Sequence, residues 1–371
     1  MIRLSRSFVG ELEIEAVAMV IRRGFLGMGV ETQSFERDLA SFIGGGVSVA
    51  CVNTGTSALH LALQAVGIGP GDEVLVPTLT YVAAFQTVAA CGAVPVACDV
   101  SKDTGLLDLS DVKKRITPKT KAIVPIHYAS FTGDLDTVYA FAKDHGLRVV
   151  EDAAHAFGCE FKGKRIGSIG DVVCFSFDGI KNITAGEGGA VVSADEQVIA
   201  KVQDARLLGV HKDTEKRYRG ERSWDFDVTE QGWRYHMSDI MAAIGRVQLK
   251  RFELDLKPVR VALAEHYIRK LQGLSEVRFF GTDLSGIVPH IMPVRILGGK
   301  RDAVRAALHE NDIEAGLHYK PNHLLSKFGH GEVRLPVAEK LYSEMLTLPL
   351  HPGLTVSDVD RVAMVIERVL A

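Results

Sequence analysis

The chain lacks the features that would place it among nucleic-acid binders, secreted disulfide scaffolds or membrane proteins. Positive charge is not in excess: 43 Lys and Arg stand against 46 Asp and Glu, a net charge of −3. A basic field able to draw in nucleic acid is therefore absent. The short basic group from Lys212 to Arg222 is interrupted by acids and reads as part of a solvated loop. Five cysteines (51, 91, 98, 159 and 174) form no CxxC pair and sit mostly in apolar runs. They read as reduced core residues of a cytosolic protein, which excludes a disulfide framework and a zinc site. No metal is expected. Long apolar runs are scarce too. The first residues, MIRLSRSFVGELEIEAV, carry acids early and do not read as a signal peptide. Val74 to Ala97 is free of formal charge, but Pro77, Gln86 and Pro95 interrupt it, so it parses as strand, helix, strand and not as a membrane span. Repeats, low-complexity tracts and Gly/Ser linkers are missing as well.

What remains is ordinary globular composition, 47% apolar and 24% charged over 371 residues, enough for two domains sharing a large core. Glu11 to Arg23 has helical spacing (Leu12, Ala16, Met19, Val20) and stops at Gly24. Strands are expected at Val47–Val52, Glu73–Pro77, Val94–Asp99, Ala122–Ile126 and Leu147–Val150. Helices are expected between them, one over Ala58–Val66 and one over Asp134–Asp144. Strands alternating with helices predict an α/β fold with a mostly parallel sheet covered on both faces. Ser238 is placed to cap a helix whose apolar stripe is Ile240, Ile244 and Val247. From about Asp255 the pattern changes to a long helix (Pro258 to Leu271), then smaller strands and helices. Residues 1–255 are thus expected to form the large domain and residues 256–371 a smaller α+β domain packed closely against it.

Three stretches carry candidate chemistry. DVVCFSFDGIKNITAGEGGAVVS (171–193) reads as a buried strand, a polar turn holding Lys181, three glycines and a second strand. A lysine between two buried strands needs a partner or a function. Glu151-Asp152 closes the strand upstream. Asn53-Thr54-Gly55-Thr56-Ser57 links a strand to a helix start, where free N–H groups and hydroxyls can face an anion. Read alone, that turn is an ordinary helix cap; beside the lysine strand it reads as a phosphate cradle of Gly55, Thr56 and Ser57. All three stretches follow strands, and sites in such sheets gather at the carboxyl ends.

NTGTSALHLAL, EDAAHAFG, SFDGIKNITAGEGG and SDIMAAIGRVQL, lying in this order between about Gly24 and His323, resemble in sequence, order and spacing blocks of the DegT/DnrJ/EryC1/StrS family, sugar-nucleotide aminotransferases of aspartate-aminotransferase-like fold. The resemblance implies a seven-stranded-type sheet and pyridoxal 5′-phosphate as cofactor. Lys181 is the lysine that bonds the cofactor, and Asp152 the carboxylate that keeps the ring nitrogen protonated. Tyr81, in the first turn of the helix after Pro77, is implied to stack on the ring, His155 to lie near its phenolic oxygen and Ser176 to bind its phosphate. Glu187, Tyr319 and His323 match positions of the substrate pocket. The partners implied are a nucleotide-linked keto-sugar, an amino-acid donor such as L-glutamate, and a second copy of the chain completing each site.

The sequence departs from the family in two places. Arg234 in Gly232-Trp233-Arg234-Tyr235-His236 stands where the family has an Asn that reaches the neighbouring subunit's phosphate; a guanidinium can bind phosphate, and a dimer-interface ion pair is the competing reading. His127-Tyr128-Ala129-Ser130-Phe131 and Phe177-Asp178-Gly179 also differ, on what is expected to be the substrate face. Lys212, Arg217, Arg219 and Lys320 are candidates to meet a diphosphate. The expected activity is amination of a nucleotide-linked keto-deoxysugar at C3 or C4, in deoxyaminosugar biosynthesis for surface glycans such as lipopolysaccharide O-antigen, or for glycosylated metabolites, in the cytoplasm. Amination of a keto-cyclitol and a non-catalytic cofactor sensor are the competing readings.

Overall fold

Apolar residues on every position of the central strands, not on alternate ones, require a sheet buried on both faces. The computed structural model, which describes residues 1–329 and 333–371, contains that sheet. Its strands are β1 (Ser48–Val52), β2 (Glu73–Pro77), β3 (Val94–Cys98), β4 (Thr120–Ile123), β5 (Arg148–Asp152), β6 (Val172–Ser176) and β7 (Gly189–Ser193), in the spatial order β1-β7-β6-β5-β4-β2-β3. β7 runs antiparallel to β1 and β6, and the other pairs are parallel. Successive side chains divide between the faces: Val172, Cys174, Ala50 and Val52 enter one core, and Val173, Phe175, Val49 and Cys51 the other. The expected strands are all present. β5 extends two residues past its expected end, because Glu151 and Asp152 pair with Val173 and Cys174 of β6.

The C-terminal part builds a second core on a three-stranded antiparallel sheet, β8 (Val277–Phe279), β9 (Met292–Ile296) and β10 (Met345–Leu348). Helices Lys257–Leu271 and Val356–Leu370 line that core. The division at 255/256 is not a clean cut. Ser238 caps the helix Asp239–Arg251 as expected, its side chain accepting from the Met241 N–H at 3.3 Å. That helix then continues through a π-turn at Phe252–Leu256 into Lys257–Leu271, so the expected boundary lies inside continuous helical backbone. The first residues also join the C-terminal core, with Ile2 paired to Ile313 and the Leu350 N–H donating to Leu4.

Three local expectations need correction. The basic loop contains a helix, Asp213–Tyr218, whose Asp213 and Thr214 are buried; Tyr218 and the fully buried Arg206 bond each other and Glu36. Only part of the stripe expected to bury the first helix faces inward: Leu12 and Met19 are exposed, while Val20 and Glu13 are inside. Ile240, Ile244 and Val247 are only half-buried, since Ala242, Ala243, Gly245 and Leu249 form the inner face of their helix. A Cβ on Gly245 would lie 2.6 Å from the Phe35 ring, so close packing selected the small face. All five cysteines are free. Among the described residues, no helix is long and apolar enough to cross a membrane.

Candidate active site

The carboxyl ends of β1, β5 and β6 open into one cavity of about 460 Å³. Its walls hold Thr54, Gly55 and Thr56 after β1, Asp152 at the end of β5, and Ser176, Asp178 and Lys181 at and after β6. The turn after β1 is ordered by its own cap. Thr54 Oγ1 accepts from the Ser57 N–H at 3.0 Å, and the Ser57 hydroxyl donates to Asn53 Oδ1 at 2.7 Å. That leaves the Gly55 and Thr56 N–H groups, at the start of the helix Gly55–Ala65, without intrahelical acceptors and at the positive end of its dipole. Glycine is required at 55, where a Cβ would lie 2.7 Å from Ser176 Cβ. The same closeness brings the Ser176 hydroxyl to the turn and makes an anion-binding corner.

Lys181 is half-buried, and removal from water lowers its amine from the usual lysine value to about 8, with Asp152 and Asp178 acting in the other direction. Asp152 is 7% exposed, and burial raises its carboxyl pKa against the Ala154 N–H bond (3.1 Å) and the Lys181 and His127 charges. His155 lies near both. Its Nε2 is 3.1 Å from the Tyr319 hydroxyl, and its Nδ1 is buried with no partner among the described residues. Burial, then the Lys181 charge, push its pKa well down, so the ring is neutral. Tyr81 is 58% exposed at the mouth and lies 5.7 Å from the Tyr319 ring. The helix it was expected to open begins only at Ala83. Glu187 lines the rim, and burial raises its pKa.

Gly55, Thr56, Tyr81, Asp152, His155, Ser176, Lys181, Glu187 and Tyr319 thus surround one space. Ser57, Arg234 and His323 do not. Ser57 spends its hydroxyl inside the cap, and Arg234 is exposed elsewhere on the surface. His323 is buried behind the wall, its Nδ1 2.8 Å from Thr78 Oγ1 and its Nε2 3.3 Å from Glu339. The run at 127–131 is likewise not a substrate face. His127 Nε2 lies 2.7 Å from Glu151 in a buried pair, and the Tyr128 hydroxyl donates to the His318 carbonyl at 2.5 Å. Arg217 is committed to Asp213 at 2.6 Å. Sequence reasoning missed His290, whose Nε2 is 3.3 Å from Lys181 Nζ, and His318, on the cavity wall with its pKa lowered to about 4 by burial. His318 directly precedes Tyr319, which the sequence had pointed to; His290, in an apolar stretch, carried no signal.

An anion-binding corner, a buried carboxylate, a lysine with a depressed pKa and an unpartnered ring nitrogen form a donor set that suits pyridoxal phosphate. The corner can take the phosphate, Asp152 the ring nitrogen and Lys181 the aldehyde. Among the described residues, no cluster of three or more His, Cys, Asp or Glu could hold a metal ion. The comparisons agree with this chemistry. The model of the DegT/DnrJ/EryC1/StrS aminotransferase family matches residues 8–367. The spore coat polysaccharide biosynthesis protein SpsC of Bacillus subtilis is 36% identical over 370 residues, 96% of this chain and 94% of that protein. The crystal structure of the aminotransferase TlmJ from Streptoalloteichus hindustanus superposes with a TM-score of 0.92 at 34% identity, covering 100% of this chain and 99% of that one. Spr1654 of Streptococcus pneumoniae, solved in its PLP form, gives a TM-score of 0.90 at 30% identity over 99% of each chain. The chain therefore belongs to the DegT/DnrJ/EryC1/StrS aminotransferase family and is a pyridoxal phosphate-dependent aminotransferase of aspartate-aminotransferase-like fold.

Proposed function

We propose that this aminotransferase moves an amino group from an amino acid, L-glutamate, to a nucleotide-linked keto-deoxysugar at C3 or C4. The observation that carries the reading is the convergence of Lys181, Asp152 and the Thr54–Thr56 turn on one cavity of about 460 Å³. The similarity to a polysaccharide biosynthesis protein supports a sugar as that acceptor. The exposed Lys212, Arg219 and Lys320 are free of salt bridges among the described residues and suit a diphosphate.

Pyridoxal phosphate, when bound, supplies the aldehyde and the electron-withdrawing ring. Lys181 does the proton work. With its amine lowered to about 8, Nζ is unprotonated often enough near neutral pH to accept the proton of the donor's α-carbon. Asp152, buried at the end of β5, would hold a proton at the ring nitrogen, and removal from water strengthens that pairing. Gly55, Thr56 and Ser176 would hold the phosphate, Tyr81 would stack on the ring, and His155 would lie near its phenolic oxygen.

The reading includes a homodimer. Its support is the apolar surface left outward by Leu12, Ile14 and Met19 of the first helix, with Trp224 (85% exposed) and Phe226. Exposed apolar side chains on one helix suit contact with a second copy, and Arg234, exposed and without an ion-pair partner among the described residues, is available to reach the partner's phosphate corner. A cytoplasmic location fits the five free cysteines. The test is the visible absorbance of the protein with pyridoxal phosphate, before and after L-glutamate, followed by return of the band with candidate ketones. Return with a nucleotide keto-sugar supports the reading; return only with a keto-cyclitol replaces it, and a band that ignores every donor points to a sensor.

A further inference from the structure

Two buried residues next to the lysine are left unexplained by the reading above. Ser130 has a left-handed backbone (φ 76°), following Ala129 (φ 53°), a conformation that residues with a side chain rarely keep without compensation. Its compensation is two hydrogen bonds: Oγ donates to the His155 carbonyl at 2.5 Å and accepts from the His290 N–H at 2.9 Å. Arg260, 2% exposed, holds the same residue from the other end. One guanidinium nitrogen faces the Pro289 and His290 carbonyls at 3.5 and 3.3 Å, and the other faces the Ile180 and Lys181 carbonyls, both at 3.3 Å. The backbones of Lys181 and His290 are thereby clamped to one rigid group.

The His290 ring is 4% exposed and lies against His155 with centroids 4.6 Å apart. Its Nδ1 is buried without a partner among the described residues, and its Nε2 faces Lys181 Nζ. Among the described residues the lysine amine is thus the ring's one hydrogen-bonding partner. A bare buried acceptor is tolerated better than an orphaned N–H. The arrangement therefore favours the tautomer with hydrogen on Nε2, donating to an unprotonated amine. That amine also faces Asp152 and Asp178 as acids and Arg260 as a like charge. We infer that His290 is a positioning residue for Lys181, its ring fixed by Ser130 and Arg260 so that Nε2 docks the free amine at one end of the lysine's swing. The inference deepens the assignment of Lys181 given above and rests on it.

The test separates docking of the amine from holding of the cofactor. Pyridoxamine phosphate has no aldehyde, so its affinity reports the phosphate corner and ring plane alone. With pyridoxal phosphate, Nζ condenses with the aldehyde carbon, one water leaves, and a visible band rises at a rate that reports how the amine is presented. His290→Leu is expected to slow that condensation about tenfold and to leave pyridoxamine phosphate affinity unchanged. His290→Gln, with an amide nitrogen at similar reach, should recover most of the rate, and Ser130→Ala should slow the same step by less. Should His290→Leu not fold, the comparison of Ser130→Ala with His290→Gln carries the test. Condensation at the wild-type rate in His290→Leu and Ser130→Ala overturns the inference, and so does an affinity for pyridoxamine phosphate that falls in parallel with the rate. If the wild type condenses and Lys181→Ala does not, that failure belongs to His290 alone. If Lys181→Ala condenses as the wild type does, the assignment of Lys181 falls as well.

Discussion

The cavity has two unlike walls. On the sheet side, Lys181, Asp152 and Asp178 bring charge to the ends of strands, beside the helix start at Gly55. On the C-terminal side, His318 and Tyr319 line the space and His290 stands against Lys181; burial lowers both histidine pKa values and raises that of the tyrosine, so all three are neutral near pH 7. Charge is supplied from one direction, and uncharged hydrogen-bonding groups close the site from the other. A strong anion on the second wall would hold Lys181 as ammonium. Neutral imidazoles instead leave it with a pKa of about 8, where an amine can act as both nucleophile and base. The unlike walls are thus a division of labour between chemistry and placement.

The contrast can be broken most severely on the charged wall. Lys181→Ala should abolish the lysine-dependent visible band and lower transamination by about 10³-fold or more, read in single-turnover absorbance. Asp152→Asn should lower turnover by about 10²-fold while the band still forms, because phosphate and aldehyde contacts survive. Gly55→Ala forces a Cβ to 2.7 Å from Ser176; it should cost about 1–3 kcal/mol of stability, seen as a lower Tm, and weaken cofactor retention on dialysis. The neutral wall should respond more gently. Tyr319→Phe removes the hydroxyl 3.1 Å from His155 Nε2 and should cost about 1 kcal/mol in cofactor binding.

The pH response sharpens the same comparison. Because burial depresses the Lys181 pKa to about 8, condensation with added pyridoxal phosphate should rise with pH up to that value and level off above it. The slope below should be about tenfold per pH unit, as the unprotonated fraction grows. A mutation on the charged wall should move this midpoint: Asp152→Asn removes an anion that favours ammonium and should shift it downward.

Much of the charged wall was legible in the sequence because its residues sit at fixed offsets from strands. Thr54-Gly55 follows β1, Asp152 ends β5 and Lys181 follows β6, and strands that run the same way bring their carboxyl ends to one edge of the sheet. Misreadings arose where a side chain had a local use instead. Ser57 completes its own helix cap, and His323 supports Thr78 and Glu339 behind the wall. His127, expected on a substrate face, is paired with Glu151 in the core. Apolar spacing located the helices at 11–23 and 239–251, but not which side faced inward. Periodicity shows a stripe and cannot say whether this chain or another covers it.

By itself the sequence determined the strand–helix alternation, the two-faced sheet and the offsets that bring lysine, carboxylate and phosphate corner together, since these follow from local pattern and the geometry of parallel strands. Only the tertiary structure decided what stands opposite them. His290 and His318 lie more than a hundred residues from Lys181 and reach it through the packing of the C-terminal part against the sheet, a relation with no signature along the chain. The Arg260 clamp and the left-handed turn at Ser130 belong to the same class: their hydrogen bonds join segments distant in sequence, and a hydrogen bond can be read only once both partners have been placed.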